Sequence, residues 1–122
     1  MKYLKCETCG NIMEVINESG IPVICCGQKM TELIPGLSDG AQEKHVPVAV
    51  VNEDEVVVMI GAVEHPMLEE HYIEWIAIEI TNGSQRRKLD YTDKPRAEFK
   101  LAKGEELVAV YEYCNIHGLW KA

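Results

Sequence analysis

The sequence predicts a mainly β protein in two unequal parts. These are a small metal-stapled module over residues 1–35 and an antiparallel β-sandwich or barrel over residues 43–122, joined by a connector at 36–42. Three observations lead there. Four of the five cysteines lie in the first part, as Cys6, Cys9, Cys25 and Cys26. Beyond residue 43 the apolar residues alternate with a period of two, in short runs broken by turn residues. No stretch carries the apolar period of a helix of ordinary length, and no segment repeats.

The module has a modest apolar content: Leu4, Ile12, Val15, Ile16, Val23 and Ile24. So short a segment cannot bury enough surface by itself and needs a staple. Gly10, Gly20 and Gly27 stand where tight turns around a metal would be required. The connector "GLSDGAQ" is rich in turn formers. After it, "HVPVAVV" and "VVVMIGAV" are β-branched runs separated by the polar "NEDE", a hairpin pattern in which His45 opens a strand. "WIAIEI" places Ile76, Ile78 and Ile80 on one face and is followed by a turn at "NGS". "RAEFKL" sets Ala97, Phe99 and Leu101 against Glu98 and Lys100. In "ELVAVYEYC", strict alternation puts Leu107, Ala109, Tyr111 and Tyr113 on one face, with Val108, Val110 and Cys114 on the other. Several short strands with turns between them predict the sandwich or barrel.

The 122 residues are 47% hydrophobic, enough for a packed core, and the formal net charge is −8. With no basic stripe beyond Arg86, Arg87 and Lys88, this disfavours nucleic acid or an acidic membrane as partner. No apolar run approaches the ~18 residues of a membrane span. The opening "MKYLKCETCG" lacks the apolar core of a signal peptide, which predicts a cytoplasmic protein with reduced cysteines.

Cys6-x2-Cys9, a gap of fifteen residues and then Cys25-Cys26 supply two ligand pairs, the number a tetrahedral thiolate site needs. Adjacent Cys25 and Cys26 can both point inward only if the backbone bends. Iron and zinc both accept four sulfurs, so spacing leaves the metal open. The four histidines, His45, His65, His71 and His117, lie at strand margins or in loops. Pro66 blocks a helix between His65 and His71, and a loop can turn both inward. His117 follows Cys114 by three. Four imidazoles and one thiolate are too many donors for structural zinc and too rich in nitrogen for a sulfur cluster. They suit an iron that keeps one position for substrate. A blue-copper site is the rival, with two His, one Cys and a weak axial Met. No Met follows His117, however, and two histidines would be left over.

The segments "CETCGNIMEV", "VICCGQKM", "SDGAQEKHVPV", "VEHPMLEEHYIEWI" and "EYCNIHGLW" together resemble the desulfoferrodoxin family, the two-iron class of superoxide reductase. The resemblance spans nearly the whole chain. It implies a desulforedoxin-like, rubredoxin-type iron held by Cys6, Cys9, Cys25 and Cys26. It implies a second iron in an immunoglobulin-like sandwich, with His45, His65, His71 and His117 equatorial and Cys114 axial. Zinc stays possible at the four-cysteine site. The implied activity is one-electron reduction of superoxide to hydrogen peroxide without dioxygen; the alternative is a non-enzymatic iron or copper electron carrier. Glu43 resembles the family glutamate that occupies the sixth position of the oxidised iron, and Lys44 the lysine that draws in the anion. Without the metal context both read as solvated loop charges. A rubredoxin-like electron donor and a homodimer are further implications. Asn115 and Ile116 are expected to offer backbone N–H groups to the Cys114 sulfur. Trp120 is expected to lie beside the site as a lid or to pack in the core.

Overall fold

The computed structural model describes residues 1–38 and 40–122; Asp39 of the expected connector lies outside them. The chain falls into two units, Met1–Ile34 and Pro35–Ala122.

The first unit holds β1 (Lys2–Lys5), β2 (Ile12–Val15), β3 (Ile24–Cys25), β4 (Gln28–Lys29) and β5 (Thr31–Glu32). Its sheet has the order β2-β1-β5, and β3 and β4 form a separate two-residue ladder. The buried cluster is Leu4, Cys6 and Met30, with Val15 and Cys25 packed on it. Ile16, Ile21 and Ile24 are 88%, 77% and 62% exposed. A cluster of this size, one member a cysteine, offsets little chain entropy, so the unit depends on a cross-link at its cysteines.

The second unit opens with α1 (Gln42–His45), a single helical turn, followed by β6 (Pro47–Asn52) and β7 (Glu55–Ile60). Then come β8 (Ile73–Ile80), β9 (Gly83–Lys88), β10 (Arg96–Lys100), β11 (Leu107–Cys114) and β12 (Gly118–Lys121). Two antiparallel sheets, β10-β7-β6 and β12-β11-β8-β9, form the sandwich. Between them lie Val56, Val58 and Ile60 of β7, Ile76, Ile78 and Ile80 of β8, and Ala97 and Phe99 of β10. Each fully buried aliphatic or aromatic side chain contributes about 1.5–3 kcal/mol. This core supplies the rigid floor for the loops above it.

Several local readings change. His45 ends α1 and does not open a strand; β6 begins at Pro47, whose ring excludes it from continuing the helix. Leu107 packs with Val110 against the core instead of opposite it. The cause is an irregularity between Leu107 and Ala109, where Val108 bulges out and is 57% exposed. One extra residue reverses the face of everything before it. Finally, β9 and β12 carry little or no apolar alternation and exist as ladder partners of β8 and β11. The hairpin at "NEDE" tightens to a two-residue turn, with Glu53 in the left-handed region at φ 56°.

Candidate metal centres

In the first unit the four cysteine sulfurs lie within 4.8 Å of one another. Two tight turns bring them together. Cys6 N–H donates to the Asn11 carbonyl at 2.8 Å, and Gly10 N–H donates back to the Cys6 carbonyl at 2.9 Å. On the other arm, Cys26 adopts φ 52° ahead of Gly27 at φ 73°. That left-handed residue is the bend that lets adjacent Cys25 and Cys26 face one point. The Cys9 and Cys25 sulfurs are 3.6 Å apart. A tetrahedron with metal–sulfur bonds of ~2.3 Å has edges of about 3.8 Å, so the sulfurs are spaced for one ion. The Cys9 N–H donates to the Cys6 sulfur at 3.4 Å, and the Asn11 amide donates to that of Cys25 at 3.8 Å. The Cys6 thiol is pulled down to about 6, first by the Cys9 N–H. Those of Cys25 and Cys26 are pushed up, because their protons are shared with neighbouring sulfurs. Crowded sulfurs cannot all be thiolates without a cation, as expected of residues that share one metal. The donor set suits iron and zinc equally.

The second cluster is assembled from four places in the other unit. His45 comes from the end of α1, His65 from the loop after β7, His71 from the approach to β8, and Cys114 and His117 from the turn joining β11 to β12. The ligating atoms of His45, His65, His71 and Cys114 lie within 4.8 Å of one another. His117 completes the ring. Successive centroids, His45 to His65 to His71 to His117 and back, are 4.6, 4.8, 5.1 and 4.7 Å apart. The His45–His71 diagonal is 6.4 Å, close to that of a square. Neighbouring rings are steeply inclined, at 64° to 82°, like the blades of a propeller. The Cys114 sulfur sits 4.0 Å from His117 Nδ1.

A metal fits this set. The midpoint of the 6.4 Å diagonal is about 3.2 Å from either centroid. A metal–imidazole bond of ~2.1 Å plus roughly 1.2 Å from ring nitrogen to centroid gives nearly the same distance. The nitrogens are also prepared. His65 Nδ1 donates to the Pro66 carbonyl at 2.7 Å, which fixes its tautomer and leaves Nε2 as a lone-pair donor. The Nε2 atoms of His65 and His71 are buried without a hydrogen-bond partner. Buried polar nitrogens are rarely left so unless they bind something. Burial pushes His45 and His65 down to about 4, with the other histidines and the Lys44 charge adding to it. His71 is lowered for the same reasons. Neutral imidazole is the ligating form.

Cys114 is fully buried, which raises its thiol, while the backbone N–H groups of His117 and Ile116 pull the other way. Asn115 N–H does not join them. It donates to the Tyr72 carbonyl at 3.2 Å, which corrects the expectation for that residue and leaves it standing for Ile116. Glu43 and Lys44 are exposed on α1, and the Lys44 charge depresses all three histidines whose shifts it enters. Trp120 is 4% exposed and stacks on His45, with centroids 4.9 Å apart and planes 13° apart. Its Nε1–H donates to the His117 carbonyl at 3.1 Å, an oxygen that also accepts the Ser38 hydroxyl.

Sequence reasoning missed Glu112. It is completely buried, neither carboxylate oxygen has a hydrogen bond, and Oε1 lies 3.7 Å from His45 Nδ1. Burial raises its carboxyl to about 9. Its position between Val110 and Cys114, on the inward parity of β11, was the available signal. The sequence also did not disclose the backbone packing under α1. A Cβ on Gly61, at φ 84°, would lie 2.6 Å from the Lys44 carbonyl and 2.8 Å from that of Glu43.

Comparison with known proteins agrees with this geometry. A family model described as desulfoferrodoxin matches residues 37–122, and one described as the desulfoferrodoxin N-terminal domain matches residues 1–33. The chain is 43% identical to the desulfoferrodoxin of Syntrophotalea carbinolica, over 100% of this chain and 95% of that protein. It is 47% identical to the desulfoferrodoxin of Nitratidesulfovibrio vulgaris, over 97% of this chain and 92% of that one. The crystal structure of the superoxide reductase from Treponema pallidum superposes with a TM-score of 0.82 and 33% identity, covering 98% of both chains. Sequence, fold and two intact donor sets agree, and the chain belongs to the desulfoferrodoxin family.

Proposed function

We propose that the protein is a superoxide reductase, which passes one electron to superoxide and, with two protons, releases hydrogen peroxide without forming dioxygen. The observation that carries this reading is the near-square of four histidine rings, three of them held neutral, beside one buried cysteine sulfur. His45, His65, His71, His117 and Cys114 would hold one iron, five donors that would leave room for substrate; Cys6, Cys9, Cys25 and Cys26 would hold a second. Iron held there would supply the one-electron chemistry, and the Cys114 sulfur, once deprotonated, would enrich it in electron density. The chain does the rest. Buried neutral imidazoles present lone pairs and resist protonation. The Ile116 and His117 N–H groups temper the thiolate. Lys44 provides a local positive charge against a net −8, and Glu43 in the same turn is the carboxylate that would be available to a sixth metal position. Residues 1–35 form the tetrathiolate module, 36–42 the connector and 43–122 the reductase domain.

Several finer assignments belong to the same proposal. A homodimer is supported by the exposed Ile16, Ile21 and Ile24 of the first unit. A rubredoxin-like electron donor rests on the family resemblance, and electron transport to superoxide would serve detoxification under oxidative stress. A cytoplasmic location, where thiols stay reduced and able to hold metal, belongs to the same reading. The test is metal analysis of the purified protein, joined to a reaction of its reduced form with superoxide. Iron near two per chain, with one peroxide and no dioxygen per superoxide consumed, is the expected result. Iron with no peroxide formed would favour an electron carrier, and zinc in both sites would end the redox reading.

A further inference from the structure

Of the five proposed ligands, His71 has the least regular support. It is half-buried, whereas His45 and His65 are each 2% exposed. Among the described residues its only ladder contact is the isolated bridge to Leu68. The strand that should hold it slips at the critical place. Along β11 and β8 the pairing runs Tyr113 to Trp75 and then Cys114 to Ile73, so Glu74 is skipped. Residues 70–72 therefore lie beyond the ladder.

One residue spans this gap. Asn115 N–H donates to the Tyr72 carbonyl at 3.2 Å. Its side-chain Oδ1 accepts from Tyr72 N–H at 3.0 Å, and its Nδ2 donates to the Glu70 carbonyl at 3.1 Å. Three hydrogen bonds thus run from the residue after Cys114 to the two residues flanking His71. A primary amide is suited to this, because it offers a donor and an acceptor on one planar group. A carboxylate accepts but cannot donate, a hydroxyl is too short, and Gln is a methylene too long.

The geometry points to Asn115 as a positioning residue that fixes His71 relative to Cys114, extending the broken β8–β11 ladder with a side chain. It touches neither substrate nor the metal; its Oδ1 also lies 4.0 Å from the Cys114 sulfur, a long contact beside the three bonds to the His71 segment through which it chiefly acts. The inference rests on His71 being a ligand, as proposed above. Outer-shell groups that orient a histidine ligand typically change metal retention by about 10–100-fold, and that range is the expectation when both side-chain bonds are lost.

The experiment measures how fast the oxidised protein loses iron to excess EDTA, followed in the thiolate-to-iron absorption of the five-donor site. The set is wild type, Asn115→Leu, Asn115→Asp, His71→Ala and the Asn115→Leu/His71→Ala double variant. Asn115→Leu, similar in volume but unable to hydrogen-bond, should release iron about 10–100-fold faster. Asn115→Asp keeps the Tyr72 bond and should fall between Leu and wild type. In the His71→Ala background, Asn115→Leu should add little, because the residue acts chiefly through that ring and keeps only the long Cys114 contact besides. A fully additive double variant would show a general structural role and overturn the inference. So would Asn115→Leu releasing iron at the wild-type rate. If that variant does not fold, Asn115→Asp at the wild-type rate overturns it equally. His71→Ala retaining iron like wild type would instead refute the ligand assignment itself.

Discussion

Trp120 offers the sharpest test of how the second centre is held. Its ring lies flat on His45, and its N–H donates to the backbone carbonyl of His117, so one side chain braces two neighbouring ligands of the cluster. The two effects separate by substitution. Trp120→Phe keeps an aromatic face but loses the hydrogen bond. The His117 carbonyl still accepts the Ser38 hydroxyl, so it is not orphaned, and the loss is about 0.5–1 kcal/mol. Trp120→Leu also loses the stack, about 0.5–1.5 kcal/mol. It further opens a void beside His45: at ~24 cal/mol per Å3, roughly 50 Å3 adds about 1 kcal/mol. The totals are about 1 kcal/mol for Phe and about 3 kcal/mol for Leu, read by urea unfolding of the iron-loaded protein. Iron release to a chelator should rise less than about threefold for Phe and about tenfold for Leu, because only Leu lets the His45 ring turn. Equal release from the two variants would refute the reasoning, since the aromatic face would then contribute nothing beyond the N–H.

Lys44→Ala should slow the bimolecular reaction of the reduced protein with superoxide about tenfold at low salt and flatten its salt dependence, with iron content unchanged. Pulse radiolysis across ionic strength measures this, and Lys44→Arg should keep most of the rate. Gly61→Ala should destabilise the protein by about 2–4 kcal/mol, because its Cβ meets three backbone carbonyls and φ is 84°. It should also slow superoxide capture more than it loosens iron, since the displaced turn carries Glu43 and Lys44; equal loss of both would argue against this. The metal-free second unit, followed by Trp75 and Trp120 fluorescence in urea, should be most stable near pH 6.5. His45 and His65 titrate near 4 when folded and near 6.5 when unfolded, so stability falls as pH drops through that window. Glu112 titrates near 9 when folded and near 4.5 when unfolded, so its contribution is full below 4.5 and is lost as pH rises toward 9. Glu112→Gln should abolish the loss between pH 6.5 and 9, and an unchanged alkaline limb would contradict the burial argument.

What could be read from the residues alone is what depends on local spacing. The cysteine pairs announced a four-sulfur site because each pair closes within one tight turn. The alternation of Ile76, Ile78 and Ile80, and of Ala97 and Phe99, announced the core because a strand has a period of two whatever it pairs with. The five donors of the second site were identified by type and by family resemblance. Their arrangement was decided by the fold, because His45, His65, His71 and Cys114 come from four separate segments whose meeting is a property of two packed sheets. Parity failed at Leu107, since a bulge is set by how β11 and β8 register and not by either strand's own pattern. β9 and β12 stayed hidden because an edge strand need not be apolar to be paired. Glu112 and Gly61 look unremarkable in the sequence, and the side-chain bonds of Asn115 and the stacking partner of Trp120 are not legible there. Each gains its role from a neighbour far away along the chain, and hydrogen bonds, ring stacking and steric exclusion act over ångströms of space that sequence separation does not measure.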